Sequence, residues 1–269
     1  EPPLAGAHSL ACQLSGLISL TAPDTMTRCR AAVALAPNDG PALLMLAQAQ
    51  AAAKDLVAGR ATFIAAREQT LAGPSVSVEN AAVLGSIARA LGFVTWAEQS
   101  SSRALGRTAA EQVVEWAARK RRWFGLPAGV SAPAPEAEPD YVERFMRAQD
   151  ELGANQLARA EVTVAALEKS FPGLPGPMTL RCEVWLRRRA NGKAVAACER
   201  AVAAYPDSLQ AHYLLGVMHS MAGQHRKAVE HLELVVAGDP TVDDAWQRLV
   251  TGYGALGDRV NRERALKRK

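Results

Sequence analysis

The chain has 269 residues, a formal net charge of +4, and aromatic side chains at only 5% of positions. Four excess charges on a chain of this length are too few to indicate nucleic-acid binding. No run of about 18 apolar residues occurs, so the sequence contains no predicted segment that crosses a bilayer. Alanine and leucine are abundant and alternating β-branched residues are scarce, which predicts an all-α fold.

The first elements along the chain form a predicted helical hairpin. Its helices run from Ala7 to Ser19 and from Thr25 to Leu35. Asp24 is the predicted N-cap of the second helix, because a short side-chain oxygen can accept the free N–H groups of a first turn. Pro37 follows as the stop signal.

Two more divergent hairpins follow, and a single helix then closes the N-terminal array. The hairpins are centred on Leu46 with Phe63, and on Leu84 with Ala97. The single helix runs from Thr108 to Phe124, and we expect its apolar face to cover the last hairpin as a capping helix does. That face comprises Trp116, Trp123 and Phe124. The predicted N-terminal array therefore spans residues 1–124.

The composition changes between Gly125 and Pro139. This segment contains four prolines and shows no helical period. It is typical of a semi-extended, mobile linker rich in proline and alanine. We therefore predict a second array over residues 140–269, which ends in a basic, helix-prone segment from Arg259.

The second array repeats with a fixed period. Three kinds of residue recur at intervals of 34, and they are listed here as three sets: Pro172, Pro206 and Pro240; Ala160, Ala194 and Ala228; Val164, Cys198 and Leu232. A fixed period of this length is the signature of a solenoid built from stacked structural repeats.

The sharpest copy reads His212-x2-Leu215-Gly216-x2-His219, then Ala228-x3-Leu232, and ends at Pro240. This pattern resembles the tetratricopeptide repeat, whose two antiparallel helices approach closely at small residues. The resemblance implies a helical-hairpin solenoid in which Gly216 and Ala228 lie at the closest approach. Such solenoids hold other molecules on their surface, so the resemblance implies a binding module.

In this family the first helices of successive repeats line a concave groove that receives a peptide or a helix. The resemblance assigns that role here to Val142, Phe145, Met146, Gln149, Thr179, Leu180, Glu183, Leu186, Tyr213, Leu214, Val217, Met221, Gln247, Arg248 and Thr251. The lysines and asparagines with which some members clamp a carboxylate are absent, so an apolar segment or an amphipathic helix is the expected ligand. The alternative is that some of these side chains pack against a neighbouring repeat or against the linker.

The four cysteines form two local pairs. Cys12 and Cys29 are 17 residues apart, and Cys182 and Cys198 are 16 apart. Each pair places one thiol on each helix of a predicted hairpin. This grouping favours disulfides and hence an oxidising compartment, such as a bacterial periplasm or cell envelope. The alternative is that the cysteines are small buried residues of a cytoplasmic protein.

The sequence offers no catalytic centre and no cofactor site. Gly252, Gly254 and Gly257 match G-x-G-x-x-G, but the match ends a predicted helix where a dinucleotide site needs a strand before it. His212, His219 and His225 occupy positions at which the family has packing aromatics. His219 and His225 are expected to face each other, but no cysteine or carboxylate completes a metal site.

The first hypothesis is a non-catalytic protein–protein interaction module, acting as an adaptor or assembly factor. Its partners are expected to be proteins, as in a subunit of a larger complex, with no nucleic acid, and a membrane-associated complex is one option. The alternative is a regulatory or substrate-recruiting segment of a larger enzyme, such as a kinase, transferase or peptidase.

Overall fold

The computed structural model describes residues 2–71, 77–106, 108–126 and 133–268. Within these residues the regular structure consists of fifteen α-helices and one 3₁₀ helix, which confirms the predicted all-α class. The chain divides into two compact units, residues 1–117 and 118–269. Among the described residues, no helix is both long enough and apolar enough to cross a membrane.

The first unit contains three helical hairpins and most of a seventh helix. The helices are α1 (Pro2–Ile18), α2 (Pro23–Leu35), α3 (Gly40–Ala52), α4 (Leu56–Leu71), α5 (Val78–Leu91), α6 (Val94–Ser102) and α7 (Thr108–Phe124). Helix α7 is divided between the units, since its residues from Ala118 onward belong to the second.

The second unit contains the more regular repeats. After a 3₁₀ turn (Pro135–Ala137), its helices are α8 (Glu138–Gly153), α9 (Leu157–Ser170), α10 (Pro175–Arg187), α11 (Asn191–Ala204), α12 (Leu209–Met221), α13 (His225–Gly238), α14 (Asp243–Leu256) and α15 (Arg259–Leu266). The predicted linker, 125–139, overlaps this list because α8 already begins at Glu138. Its residues 127–132 lie outside the described residues.

Local chemistry sets where the helices begin. Asp39 accepts a hydrogen bond from the N–H of Ala42 at 3.0 Å, and Ser208 caps α12 in the same way through Ala211 at 3.4 Å. The predicted cap at Asp24 is wrong, because Pro23 begins α2 and Ala22 is its N-cap. Proline fits the first turn of a helix, where its missing N–H costs nothing. The carboxylate of Asp24 instead pairs with Arg28 one turn later, at 2.8 Å.

The turn inside each hairpin of the second unit repeats a single backbone motif. Asn155, Arg189, Gly223 and Gly257 are spaced 34 residues apart, and all have positive φ, between 57° and 73°. The N–H of the next residue donates to a carbonyl five residues earlier, as from Ala190 to Trp185 at 2.9 Å. This is the Schellman arrangement that ends a helix. Gly257 thus ends α14, so the G-x-G-x-x-G match is helical, as its context predicts.

Each unit is held together by side chains buried between its helices. In the first unit, Phe63, Phe93 and Trp96 form a tilted aromatic cluster, with ring centroids 4.8 to 6.0 Å apart. In the second, Gly216 confirms the predicted close approach, since a Cβ there would lie 2.7 Å from Cγ of Leu232. Only glycine lets these two helices approach so closely.

Candidate partner-binding surface

The predicted groove positions differ widely in exposure. Phe145 and Leu180 are completely buried, and Leu214 is 5% exposed, so these three side chains form core contacts and not the expected open surface. Met146 and Met221 are 43% and 69% exposed. Thr179 is 1% exposed. Gln247 and Thr251 are also exposed, and the remaining predicted positions are half-buried: Val142, Gln149, Glu183, Leu186, Tyr213, Val217 and Arg248.

The end of helix α7 covers part of the predicted groove. Phe124 packs edge-on against Phe145 with 5.4 Å between ring centroids, and the backbone carbonyl of Phe124 accepts a hydrogen bond from the hydroxyl of Tyr141. The backbones of Gly125 and Gly176 touch, leaving no room for a side chain at either position. The chain's own residues therefore occupy this space, in line with the alternative that some groove positions pack internally.

Trp123 extends the same contact to a half-buried polar cluster. Its Nε1 donates to a carboxylate oxygen of Asp239 at 3.0 Å, and its ring lies 6.4 Å from that of Tyr213. We had expected Trp123 and Phe124 to cover the last hairpin of the N-terminal array together with Trp116. Only Trp116 packs on the core of the first unit. The pattern of apolar residues on α7 could not show that its two ends serve different units.

Tyr213 is held by a polar network. Its hydroxyl donates to Oδ2 of Asp244 at 2.7 Å, and Nε of Arg248 donates to the same oxygen at 2.6 Å. Burial, followed by the hydrogen bond to Asp244, raises the pKa of Tyr213 to about 12. Burial opposes ionisation of Asp244, but the hydrogen bonds from Tyr213 and Arg248 lower its pKa. Two of the predicted groove residues are thus bound to each other through one carboxylate.

An open cavity lies beside the predicted groove positions Leu186 and Met221. It has a volume of about 520 Å³ and lies between helices α10 to α13. We call it the inter-repeat cavity. Its lining residues are Leu186, Asn191, Gly192, Val195, Ala196, Glu199, Met218, His219, Met221, Ala222, Gln224 and Lys227. Ligand pockets in proteins commonly have volumes of 300 to 1,000 Å³ and mostly apolar walls with a few polar groups.

The polar groups of this cavity are in part already bonded. Nδ1 of His219 lies 2.7 Å from the amide oxygen of Gln224. That oxygen can only accept, so the histidine donates. Glu199 and Lys227 supply one charge of each sign. The two methionines in the wall are flexible enough to adapt to ligands of different shape.

Three histidines form a cluster that includes His219 of the cavity wall, but they are not the expected pair. His219 stacks on His231 with 5.6 Å between ring centroids, and Nδ1 of His231 lies 2.9 Å from Nδ1 of His212. His225 lies outside this cluster. Burial first, then the neighbouring His212, His219 and Lys227, lowers the pKa of His231 to about 4. Among the described residues, no group of three or more ligating side chains could hold a metal ion.

The cysteines are paired as their spacing predicts. Cys12 and Cys29 join α1 to α2 with their Cα atoms 4.6 Å apart, and Cys182 and Cys198 join α10 to α11 at 5.4 Å. Both separations lie within the range of a disulfide. All four side chains are fully buried.

The sequence model of the tetratricopeptide repeat family matches residues 188–269. No curated protein matches the chain.

Several solved structures are similar at low sequence identity. One is the human IFIT1 dimer with m7Gppp-AAAA, at 14% identity and a TM-score of 0.42, covering 91% of this chain and 63% of that one. Another is the TPR2AB domain of yeast Sti1 in its pHSP90 complex, at 16% identity and a TM-score of 0.33, covering 99% and 100%. A third is the C-terminal part of a repeat protein from Cytophaga hutchinsonii, at 12% identity and a TM-score of 0.33, covering 84% and 93%.

Proposed function

We propose that this chain, a tetratricopeptide repeat protein whose family match covers residues 188–269, is a non-catalytic adaptor or assembly factor of a protein complex. The family match supports a protein–protein interaction module. The proposal goes further by naming the surface that receives the partner and the chemistry of the segment that it holds.

The observation that carries the proposal is the inter-repeat cavity. Leu186 and Met221 were assigned to the partner surface from the sequence, and both line this cavity of about 520 Å³. By contrast, Phe145 and Leu180 have no exposed surface with which to contact a partner. The partner therefore places an apolar side chain, carried on an extended segment or a helix, between the repeats.

The polar and charged groups at the rim of the cavity determine which residues suit the positions on either side of the apolar side chain. Glu199 and Lys227 present opposite charges, and the backbone N–H groups at the start of α11 lie nearby at Asn191 and Gly192. An apolar anchor with polar neighbours satisfies both the wall and the rim. A wholly apolar segment would leave these charges desolvated without partners, which is unfavourable.

Site-specific photo-crosslinking in the native source tests this proposal. A photoreactive phenylalanine analogue is placed at Met221, which is 69% exposed, or at Leu234, which is 52% exposed and outside the cavity. The expected result is one discrete protein adduct at position 221 that is absent at 234. The additional change Ala196→Glu, at an exposed position of the cavity wall, should remove the adduct without unfolding the chain.

Equal adducts at both positions, or an adduct at 221 that survives Ala196→Glu, would contradict the assignment to the cavity. Loss of the adduct together with loss of helical circular dichroism would require a repeat with Ala196→Ser. That smaller change should retain crosslinking.

We further propose that the protein works in an oxidising compartment, such as a bacterial periplasm or cell envelope. The two cysteine pairs at bonding distance support this location. Protein purified from its native compartment with thiols blocked during lysis should show no reactive thiol after denaturation. Four titratable thiols would refute the location and leave the buried cysteines as packing residues.

A further inference from the structure

The charge of the chain is concentrated in its last eleven residues. Residues 259–269 contain six basic side chains and one acidic one, a net charge of +5, whereas the whole chain carries +4. The other residues together therefore carry a net charge of −1. The net positive charge of this protein thus comes from one short segment, which does not line the cavity, while the basic residues elsewhere, such as Arg119 to Arg122, are balanced in number by acidic ones.

The described cations of this segment form no close ion pair, although the charge of Arg264 adds to the hydrogen bonds from Asn261 in lowering the pKa of Asp258. In the described part of the chain, no ion pair joins Arg259, Arg262, Arg264, Lys267 or Arg268 to an acidic side chain. The neighbouring Arg248 differs, since its Nε lies 2.6 Å from Oδ2 of Asp244. Nearby Asp258 accepts from the backbone N–H of Asn261 at 3.1 Å and from its side-chain amide at 2.7 Å, so it serves as the helix cap.

Exposed aliphatic side chains lie among the cations. Ala265 is 1% exposed and marks the face of α15 that packs on the repeat core. Outside that face, Val260 is 71% exposed and Leu266 is 50% exposed, and Leu256 at the end of α14 is 44% exposed. Aliphatic and basic side chains therefore share the outward side of α15, where both can reach the head-group region of a membrane and the long basic side chains can extend to the phosphates.

We propose that helix α15, with Leu256 and residues Lys267 and Arg268, binds the surface of an anionic lipid membrane. The cations contact lipid phosphates, and Val260, Leu266 and Leu256 enter the boundary between head groups and acyl chains. Residues 254–269 contain no aromatic side chain on which bases could stack, so single-stranded nucleic acid is less suited to this surface. In this arrangement the inter-repeat cavity binds the protein partner of the proposed function, and α15 attaches the complex to a membrane.

Co-sedimentation of the full chain with vesicles tests the proposal. Vesicles of pure phosphatidylcholine are compared with vesicles containing 30% phosphatidylglycerol, taken here as about one anionic lipid in three. Binding is expected only to the anionic vesicles and should weaken steeply as the salt concentration rises. The triple change Arg259→Gln, Arg264→Gln and Lys267→Gln should lower the affinity about a hundredfold.

Matched control variants distinguish membrane binding through this surface from binding through the overall charge of the protein. The change Arg147→Gln, Lys169→Gln and Arg226→Gln removes the same charge from exposed positions elsewhere in the second unit and should leave binding nearly intact. The pair Val260→Ser and Leu266→Ser keeps the charge and should weaken vesicle binding while leaving binding to the soluble polyanion heparin unchanged. Circular dichroism checks the fold of each variant.

The proposal fails if both charge variants lose vesicle binding equally, or if neutral and anionic vesicles bind alike. It also fails if millimolar inorganic phosphate displaces the protein, which would indicate a site for single phosphates. Tighter binding to an oligonucleotide than to anionic vesicles would assign the surface to nucleic acid instead.

Discussion

The burial of individual side chains shows which features of the candidate site the sequence could not predict. The repeat frame correctly identifies the positions of small and large residues, as the fit of Gly216 against Leu232 shows. It cannot tell which first-helix residues stay exposed, because this depends on a segment that packs from outside the frame. Phe145 is buried by Phe124, which lies 21 positions earlier in the sequence.

The histidine cluster gives a prediction at this scale. The pKa of His231 is lowered to about 4 from an ordinary value of 6.5. Between these values the unfolded chain binds a proton that the folded protein does not, so stability should fall as the pH drops from about 6.5 toward 4. The residues facing this ring, His212, His219 and Lys227, all disfavour its protonation.

Thermal unfolding between pH 7 and pH 4.5 measures this effect. His231→Phe keeps a planar ring and removes the titration, so the melting temperature should depend less on pH than in the wild type. His8→Phe, in the first unit, is the control and should keep the wild-type slope. A slope that His231→Phe leaves unchanged would show that His231 titrates normally in the folded protein.

The helices themselves are the scale at which the sequence is most informative. The predicted helices 7–19, 25–35 and 108–124 are observed as Pro2–Ile18, Pro23–Leu35 and Thr108–Phe124, so the first begins five residues earlier than predicted and the other ends agree to within two residues. The backbone conformation of the turns was harder to predict from the sequence. Asn155 and Arg189 adopt the same left-handed backbone as Gly223 and Gly257, although arginine carries no signal for it.

Arg189→Gly should therefore stabilise the second unit. The φ of Arg189 is +58°, and a left-handed conformation costs a residue with a Cβ about 1 to 2 kcal/mol. The greater freedom of glycine in the unfolded chain offsets part of this gain. A net gain of about 1 kcal/mol would raise the melting temperature by about 2 to 4 °C for a unit of this size.

The matched control variant should lower the stability of the second unit. Arg187→Gly places glycine at the last residue of α10 and removes the ion pair with Glu183, whose atoms are 3.2 Å apart, so it should destabilise by up to about 1 kcal/mol. If both glycine variants lower the melting temperature, the left-handed turn at Arg189 is not a source of strain.

At the scale of the whole molecule, the composition predicts a linker at residues 125–139. It does not predict which residues pack into which unit. We propose that these residues link two arrays, as the prolines indicate. The structure groups residues from Ala118 onward with the second unit. Phe124 is 5% exposed and Leu126 is fully buried, so the end of α7 and the first residues of the predicted linker are part of the second unit's core.

This arrangement predicts what happens when the linker is cut. A recognition site for a specific protease is inserted between Ala128 and Gly129, and the chain is cleaved after folding. A segment that served only as a mobile linker would release two separate halves when cut. We now expect the fragments to remain associated and to co-elute on size exclusion, because the first fragment ends in residues docked into the second unit.

Replacing Trp123 and Phe124 with alanine removes the ring contacts with Tyr213 and Phe145 and the hydrogen bond to Asp239, and it should let the fragments separate. Truncating a large buried aromatic typically costs about 3 to 5 kcal/mol, enough to weaken the association by more than a hundredfold. Val162→Ala, at an exposed position of α9, is the control and should leave the cut protein associated. Separation of the cut wild-type fragments under native conditions would show that the end of α7 contributes little to holding the two pieces together.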